Sequence, residues 1–250
     1  MLLRQVLLLM PLCATLSVMQ MAYAGEIVRL DDFSAESAQV PAPWQVVKFS
    51  KKITPTQYRI RRWDGLTAIE AIADRSMALL ARPVVIDLNR TPVLCWHWRV
   101  DAPLLTADMA TKAGDDYAAR VYVAFDLPDT SLRFLTRLAL MLARNIYGQN
   151  VPDGALSYVW GNRYPVGTRM RNAYTERARM IVAESGPERA GKWVVARHNL
   201  QEDALAEFGS AQARLIQIAV ASDTDNTGEK AHAGFAGFHF VEKDAACYFK

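Results

Sequence analysis

The chain reads as an all-β protein, an antiparallel β-sandwich or jelly roll with two short helical insertions, and three observations predict it. Short runs rich in Val, Ile, Tyr, Trp and Phe recur along most of the sequence, and Gly, Pro and Asp punctuate them. Between two of the runs stands Asp64-Gly65; a two-residue hairpin turn favours this pair because both central positions need φ above zero. About eleven such runs, spaced by turn residues, are what two sheets packed face to face require.

Before the first run, residues 1–24 read as a signal peptide. Arg4 precedes the apolar stretch 6–18, and Ala22-Tyr23-Ala24 has the small-x-small pattern of a cleavage site. That stretch is too short to span a bilayer comfortably. Cys13 lies inside it behind the bulky Leu12, which argues against a lipid anchor. The expected mature protein is one domain over residues 25–250, periplasmic or secreted after cleavage at Ala24.

The first strand falls at 27–30. Residues 58–63 and 66–73 flank the Asp64-Gly65 turn and form a hairpin. Further strands follow at 84–88, 93–100, 117–127, 156–160, 178–184, 193–197, 215–221 and 235–241. Helical spacing of Leu132, Leu135, Leu138, Ala139, Leu142 and Ile146 predicts a helix over 131–146, with Asp129 or Thr130 as its cap, Gly148 at its stop and Arg133, Arg137 and Arg144 opposite. A shorter helix is expected over 199–208, ended by Gly209. In the strand 93–100, alternation puts Leu94, Trp96, Trp98 and Val100 on one face, the expected core, and Cys95, His97 and Arg99 on the other.

Removal of residues 1–24 takes one Arg and no acid, leaving 28 basic and 26 acidic residues. That balance is too even for the electrostatic footprint of a nucleic-acid binder. Cys95 and Cys247 remain; in an oxidising compartment they form a disulfide or lie as small buried hydrophobes, and spacing does not choose between the two.

Four groups of residues carry candidate chemistry. If strands 93–100 and 117–127 share a sheet, His97 and Arg99 join Arg120 and Tyr122 on one polar face able to grip a hydroxylated or anionic ligand. Trp160, Asn162, Arg163 and Tyr164 run from a strand into a Gly- and Pro-rich loop, a glycan platform unless the aromatics are core; Tyr164, in the loop, is the one expected to be exposed. Asp223, Asp225 and Asn226 crowd hard oxygen ligands into one turn, a candidate calcium site, although the position of an EF-hand's closing Glu holds Gly234. Asp115 and Asp116 could pair with Asp223 as glycosidase carboxylates. The four histidines lack zinc-site spacing, and there is no G-x-S-x-G elbow or phosphate loop.

Residues 96–100 (WHWRV), 112–123 (KAGDDYAARVYV), 158–168 (YVWGNRYPVGT) and 222–228 (SDTDNTG) form four ordered blocks. In them the chain resembles DUF3047, a bacterial family of unknown function, which implies an exported bacterial protein and brings no catalytic residues. The strand pattern is more loosely similar to jelly-roll carbohydrate-binding modules, an analogy of fold. The expected function is therefore an exported envelope protein that binds a glycan or similar polar ligand without transforming it. The alternatives are an envelope glycan hydrolase or lyase using Asp115, Asp116 or Asp223, and a membrane- or protein-docking factor acting through helix 131–146.

Overall fold

A computed structural model of the chain describes residues 26–31, 33–128 and 152–249. The expected signal peptide and the expected helix 131–146 lie outside the described residues. In chain order the strands are β1 (Val28–Arg29), β2 (Gln45–Val47), β3 (Gln57–Trp63), β4 (Leu66–Asp74), β5 (Leu79–Pro83), β6 (Val93–Val100) and β7 (Tyr117–Asp126). They continue as β8 (Gly154–Gly161), β9 (Arg169–Arg171), β10 (Ala178–Ser185), β11 (Val194–Asn199), β12 (Arg214–Asp223) and β13 (Lys230–Val241). Among the described residues one helix, α1 (Leu200–Phe208), and a 3-10 turn at Lys112–Gly114 interrupt them. Among the described residues no helix is long and apolar enough to cross a membrane.

Two sheets result, in a jelly-roll-like sandwich. The first has the order β11-β6-β13-β4-β3, with β1 also on β13; the second runs β2-β5-β12-β7-β8-β10-β9. The expected hairpin forms with Trp63 opposite Leu66, and Asp64 and Gly65 both take positive φ, 48° and 87°. The period-2 pattern of β6 also holds. Leu94, Trp96, Trp98 and Val100 enter the core, where they meet Val121, Val123 and Phe125 of β7 and Tyr158 and Trp160 of β8. Rings touch across the two sheets, Trp98 with Trp160 and Trp96 with Tyr158, each pair 5.5 Å between centroids. Asn199 caps α1 by accepting from the Gln201 and Glu202 amides, and Gly209 ends it at φ 71°.

Three expectations need correction. The strand placed at 84–88 lies one step earlier, in β5: Pro83 has no N–H to continue the ladder, and beyond it only Val84 and Leu88 are buried while Val85 stands fully out. Two three-residue strands, β2 and β9, were too short to show a period. Nor are the sheets wholly antiparallel, because β10 runs parallel to β8, with β9 antiparallel on its far side. The cysteines do join, as Cys95–Cys247, a bond that points to an oxidising, extracytoplasmic compartment.

Candidate functional site

The second sheet carries on its outer face a buried cluster of acids around one guanidinium. Its entrance is the 3-10 turn before β7, which packs so tightly that a Cβ on Gly114 would lie 2.5 Å from the Asp108 backbone nitrogen. This turn delivers Asp115 and Asp116, both buried, to the start of β7. In the β7–β12 ladder Arg120 lies opposite Ala221, and a register shift between Ala221 and Asp223 turns Asp223 toward it.

Arg120 is buried between two carboxylates, its Nη2 at 2.6 Å from Asp223 Oδ2 and its Nη1 at 3.8 Å from Asp115 Oδ1. The rings of Tyr117 and Tyr122 hold the guanidinium at 5.0 and 4.8 Å from their centroids, a cation–π arrangement favoured by desolvation. Asp115 Oδ2 accepts from Asn172 Nδ2 at 2.8 Å. Asp116 is spent on the turn after β12: it accepts from the amides of Asn226 (3.0 Å) and Thr227 (2.6 Å), from Asn226 Nδ2 (3.0 Å) and from Thr227 Oγ1 (2.8 Å). Asn226 Oδ1 in turn accepts from the Tyr174 hydroxyl at 2.9 Å.

The electrostatics are unbalanced. Four carboxylates face one arginine in a site from which water is largely removed. Burial drives the Asp223 carboxyl well above its ordinary range; Arg120 pulls it back, and the neighbouring Asp116, Asp115 and Asp225 push it up again. Asp225 is raised too, by burial and by Asp116. Hydrogen-bonding capacity is left over: Asp115 Oδ1, both Asp223 oxygens and Arg120 Nε are buried without a hydrogen-bond partner, the Arg120–Asp223 contact being an ion pair without hydrogen-bond alignment. Buried polar atoms are normally satisfied, and these four are the cluster's remaining acceptor and donor positions. Tyr122 and Asp225 are half-buried, and Asn226 and Tyr174 reach solvent at the cluster's rim.

The sequence-predicted residues divide. Arg120 and Tyr122 belong to this cluster, but His97 and Arg99 do not join them. β6 pairs with β11 and β13 while β7 pairs with β8 and β12; because the apolar faces of β6 and β7 meet in the core, their polar faces point away from each other. His97 lies under Phe249, 3.8 Å between rings, and Arg99 pairs with Asp64 and stacks 4.2 Å over Trp63.

The loop platform is not assembled either. Trp160 is core, its Nε1 donating to the Gly186 carbonyl. Asn162 donates to the Ala107 carbonyl at 2.8 Å, Arg163 pairs with Asp108 at 3.1 Å, and the half-buried Tyr164 donates to Asp108 at 2.9 Å. Together they latch the segment 105–108 in place. In the calcium candidate Asn226 is exchanged for Asp116: carboxylate oxygens of Asp116, Asp223 and Asp225 lie within 4.8 Å of one another, whereas the Asn226 side chain is engaged by Asp116 and Tyr174. Asn172 and Tyr174, which complete the cluster from the turn after β9, carried no signal in the sequence.

Fold and site define a β-sandwich protein with a buried, acceptor-rich side-chain cluster on one sheet. Residues 42–239 match the family described as "Protein of unknown function (DUF3047)", and the chain belongs to that family. Among solved structures it is similar to a meso-active, thermostable cellulase derived from Cel12A of Rhodothermus marinus, at 10% identity and a TM-score of 0.40, covering 87% of this chain and 100% of that one. It is also similar to the xyloglucanase domain of NopAA, a type three effector from Sinorhizobium fredii, in complex with cellobiose, at 10% identity and a TM-score of 0.37, covering 82% and 100%. No curated protein matches the sequence.

Proposed function

We propose that this is an exported, single-domain envelope protein, matured at Ala24, that binds a neutral polyhydroxylated ligand such as a glycan in the Arg120 cluster without transforming it. One observation carries the reading: the cluster's unsatisfied buried atoms are mostly carboxyl oxygens, which can accept hydrogen bonds. Sugar hydroxyls are the donors that answer them, Arg120 Nε supplies the complementary donor, and the Tyr122 ring offers an apolar edge. The excess of carboxylates disfavours an anionic ligand.

The test is calorimetry of the purified chain against a panel of neutral and uronate-containing oligosaccharides. Binding should be confined to neutral members. Asp115→Asn, which keeps shape, and Tyr122→Leu, which removes the ring, should each weaken binding by folded protein about tenfold or more, about 1.4 kcal/mol. Unchanged affinity in both variants overturns the site, and reducing ends appearing during incubation overturn its non-catalytic character.

The Asp116, Asp223 and Asp225 trio supports a second reading, in which the same acids hold calcium. A bound cation stabilises only the folded state, so melting should then rise with calcium concentration and Asp225→Ala should abolish the rise. Melting indifferent to both millimolar calcium and chelator removes this reading.

A further inference from the structure

On the opposite face of the sandwich a second cluster stands apart from that around Arg120. Cys95 and His239 are directly opposed in the β6–β13 ladder, so their side chains lie on the same outer face, and both are fully buried. The segment after β13 crosses this face and places Cys247 beside them. Ligand atoms of Cys95, His239 and Cys247 all lie within 4.8 Å of one another.

The imidazole is set in one tautomer by its neighbours. A carbonyl can only accept, so His239 Nδ1, 2.6 Å from the Gly237 carbonyl, carries the proton. An amide can only donate, so Nε2, 3.0 Å from the Tyr248 nitrogen, presents its lone pair toward the residue next to Cys247. A ring N–H held by a backbone carbonyl is how metal-binding histidines are oriented; here the other nitrogen's lone pair is held by the Tyr248 N–H, which a metal would displace. The cover is apolar: Phe249 lies edge-on to His239 at 4.9 Å, and a Cβ on Gly237 would meet its ring at 2.8 Å.

We infer that Cys95, Cys247 and His239 form a redox-gated site for a thiolate-seeking metal ion of the Zn2+ class. In the oxidised protein the disulfide occupies the sulfur ligands. A dithiol reductant opens it by exchange: the reductant is oxidised to its own disulfide, and Cys95 and Cys247 each gain one hydrogen as thiols. The cation then binds with loss of both thiol protons to solvent, while His239 Nε2 exchanges the Tyr248 N–H for the metal. Two thiolates and one imidazole select zinc or copper(I) over calcium and magnesium. With three protein ligands, the fourth tetrahedral position is left to solvent.

The experiment uses the full chain carrying Cys13→Ser, so that only these two cysteines remain, reduced with a phosphine and titrated with Co2+ under argon. One Co2+ per chain should bind to the reduced protein, with a thiolate charge-transfer band in the near ultraviolet and the visible bands of a tetrahedral ion, and Zn2+ should displace it. The oxidised protein should show neither. His239→Gln should weaken Co2+ binding at least tenfold and shift the visible bands, and Cys247→Ser should abolish the charge-transfer band. No thiolate band in the reduced protein, or an identical titration and spectrum in His239→Gln, overturns the inference. If reduction alone unfolds the chain, added Zn2+ must restore its melting transition; failure to do so overturns it equally.

Discussion

Glu70 and Asp203 show how far a single buried carboxylate is governed by its donors. Burial would raise both, but Glu70 accepts from Arg59, from Arg61 at 2.6 Å and from His232 at 2.9 Å, and is carried down to about 2. Asp203 is also held at about 2: against burial stand His198, Arg169 and the Tyr158 hydroxyl at 2.7 Å. Groups lowered on folding contribute stability that is complete above their unfolded values, near 4, and lost as pH falls toward 2. Asp31 has the opposite sign. Burial raises it to about 7 despite amide donors from Gly237 and Phe238, so its contribution is complete below about pH 4 and disappears as pH rises through 7. Melting temperature followed against pH should therefore fall on both sides of a maximum near pH 4. Asp203→Asn should flatten the acid limb and cost about 2 kcal/mol at neutral pH, whereas Asp31→Asn should raise the melting temperature above pH 7. An acid limb unchanged in Asp203→Asn would contradict this assignment.

Among the elements, the 3-10 turn before β7 and the centre of β13 both depend on a missing side chain, with different tolerance. At Gly234 an added Cβ would meet only side chains, the Trp193 ring at 2.7 Å and Arg99 and Trp63 at 3.2 Å. At Gly114 it would meet the Asp108 backbone, which cannot rotate aside. Gly234→Ala should cost about 1 to 3 kcal/mol, and Gly114→Ala more, with a loss of ligand binding beyond its loss of stability, because the turn carries Asp115 and Asp116. Chemical denaturation of both variants checks the order. Elements whose own residues encode them were legible in the sequence: the alternation of β6, the Asp64-Gly65 hairpin, the capped helix α1. The parallel placement of β10 on β8 was not, since parity along a strand says which face is buried and nothing about its neighbour. The same limit divided the site. Arg120, Tyr122, Asp115 and Asp223 stood out by type, but their union depends on the β7–β12 ladder and its register shift, and the separation of His97 and Arg99 depends on a sheet order that no local pattern records.

For the molecule as a whole, the ring contacts between Trp98 and Trp160 and between Trp96 and Tyr158 join the sheets into one core. Trp160→Ala should cost about 3 to 5 kcal/mol, and near- and far-ultraviolet circular dichroism should report the same lowered transition, since neither sheet can bury its apolar face without the other. Two separated transitions would contradict a shared core. The first sheet also has its last strand at its centre, with β13 between β6 and β4 and β1 paired to it as well. While the chain is still on the ribosome, therefore, β4 and β6 have no common partner. Their edges meet only after residues 230–241 have been made, and Cys247 follows them. A chain without residues 230–247 would lose the hub of one sheet and half of the disulfide together, so synthesis through Cys247 is itself a condition for closing this fold.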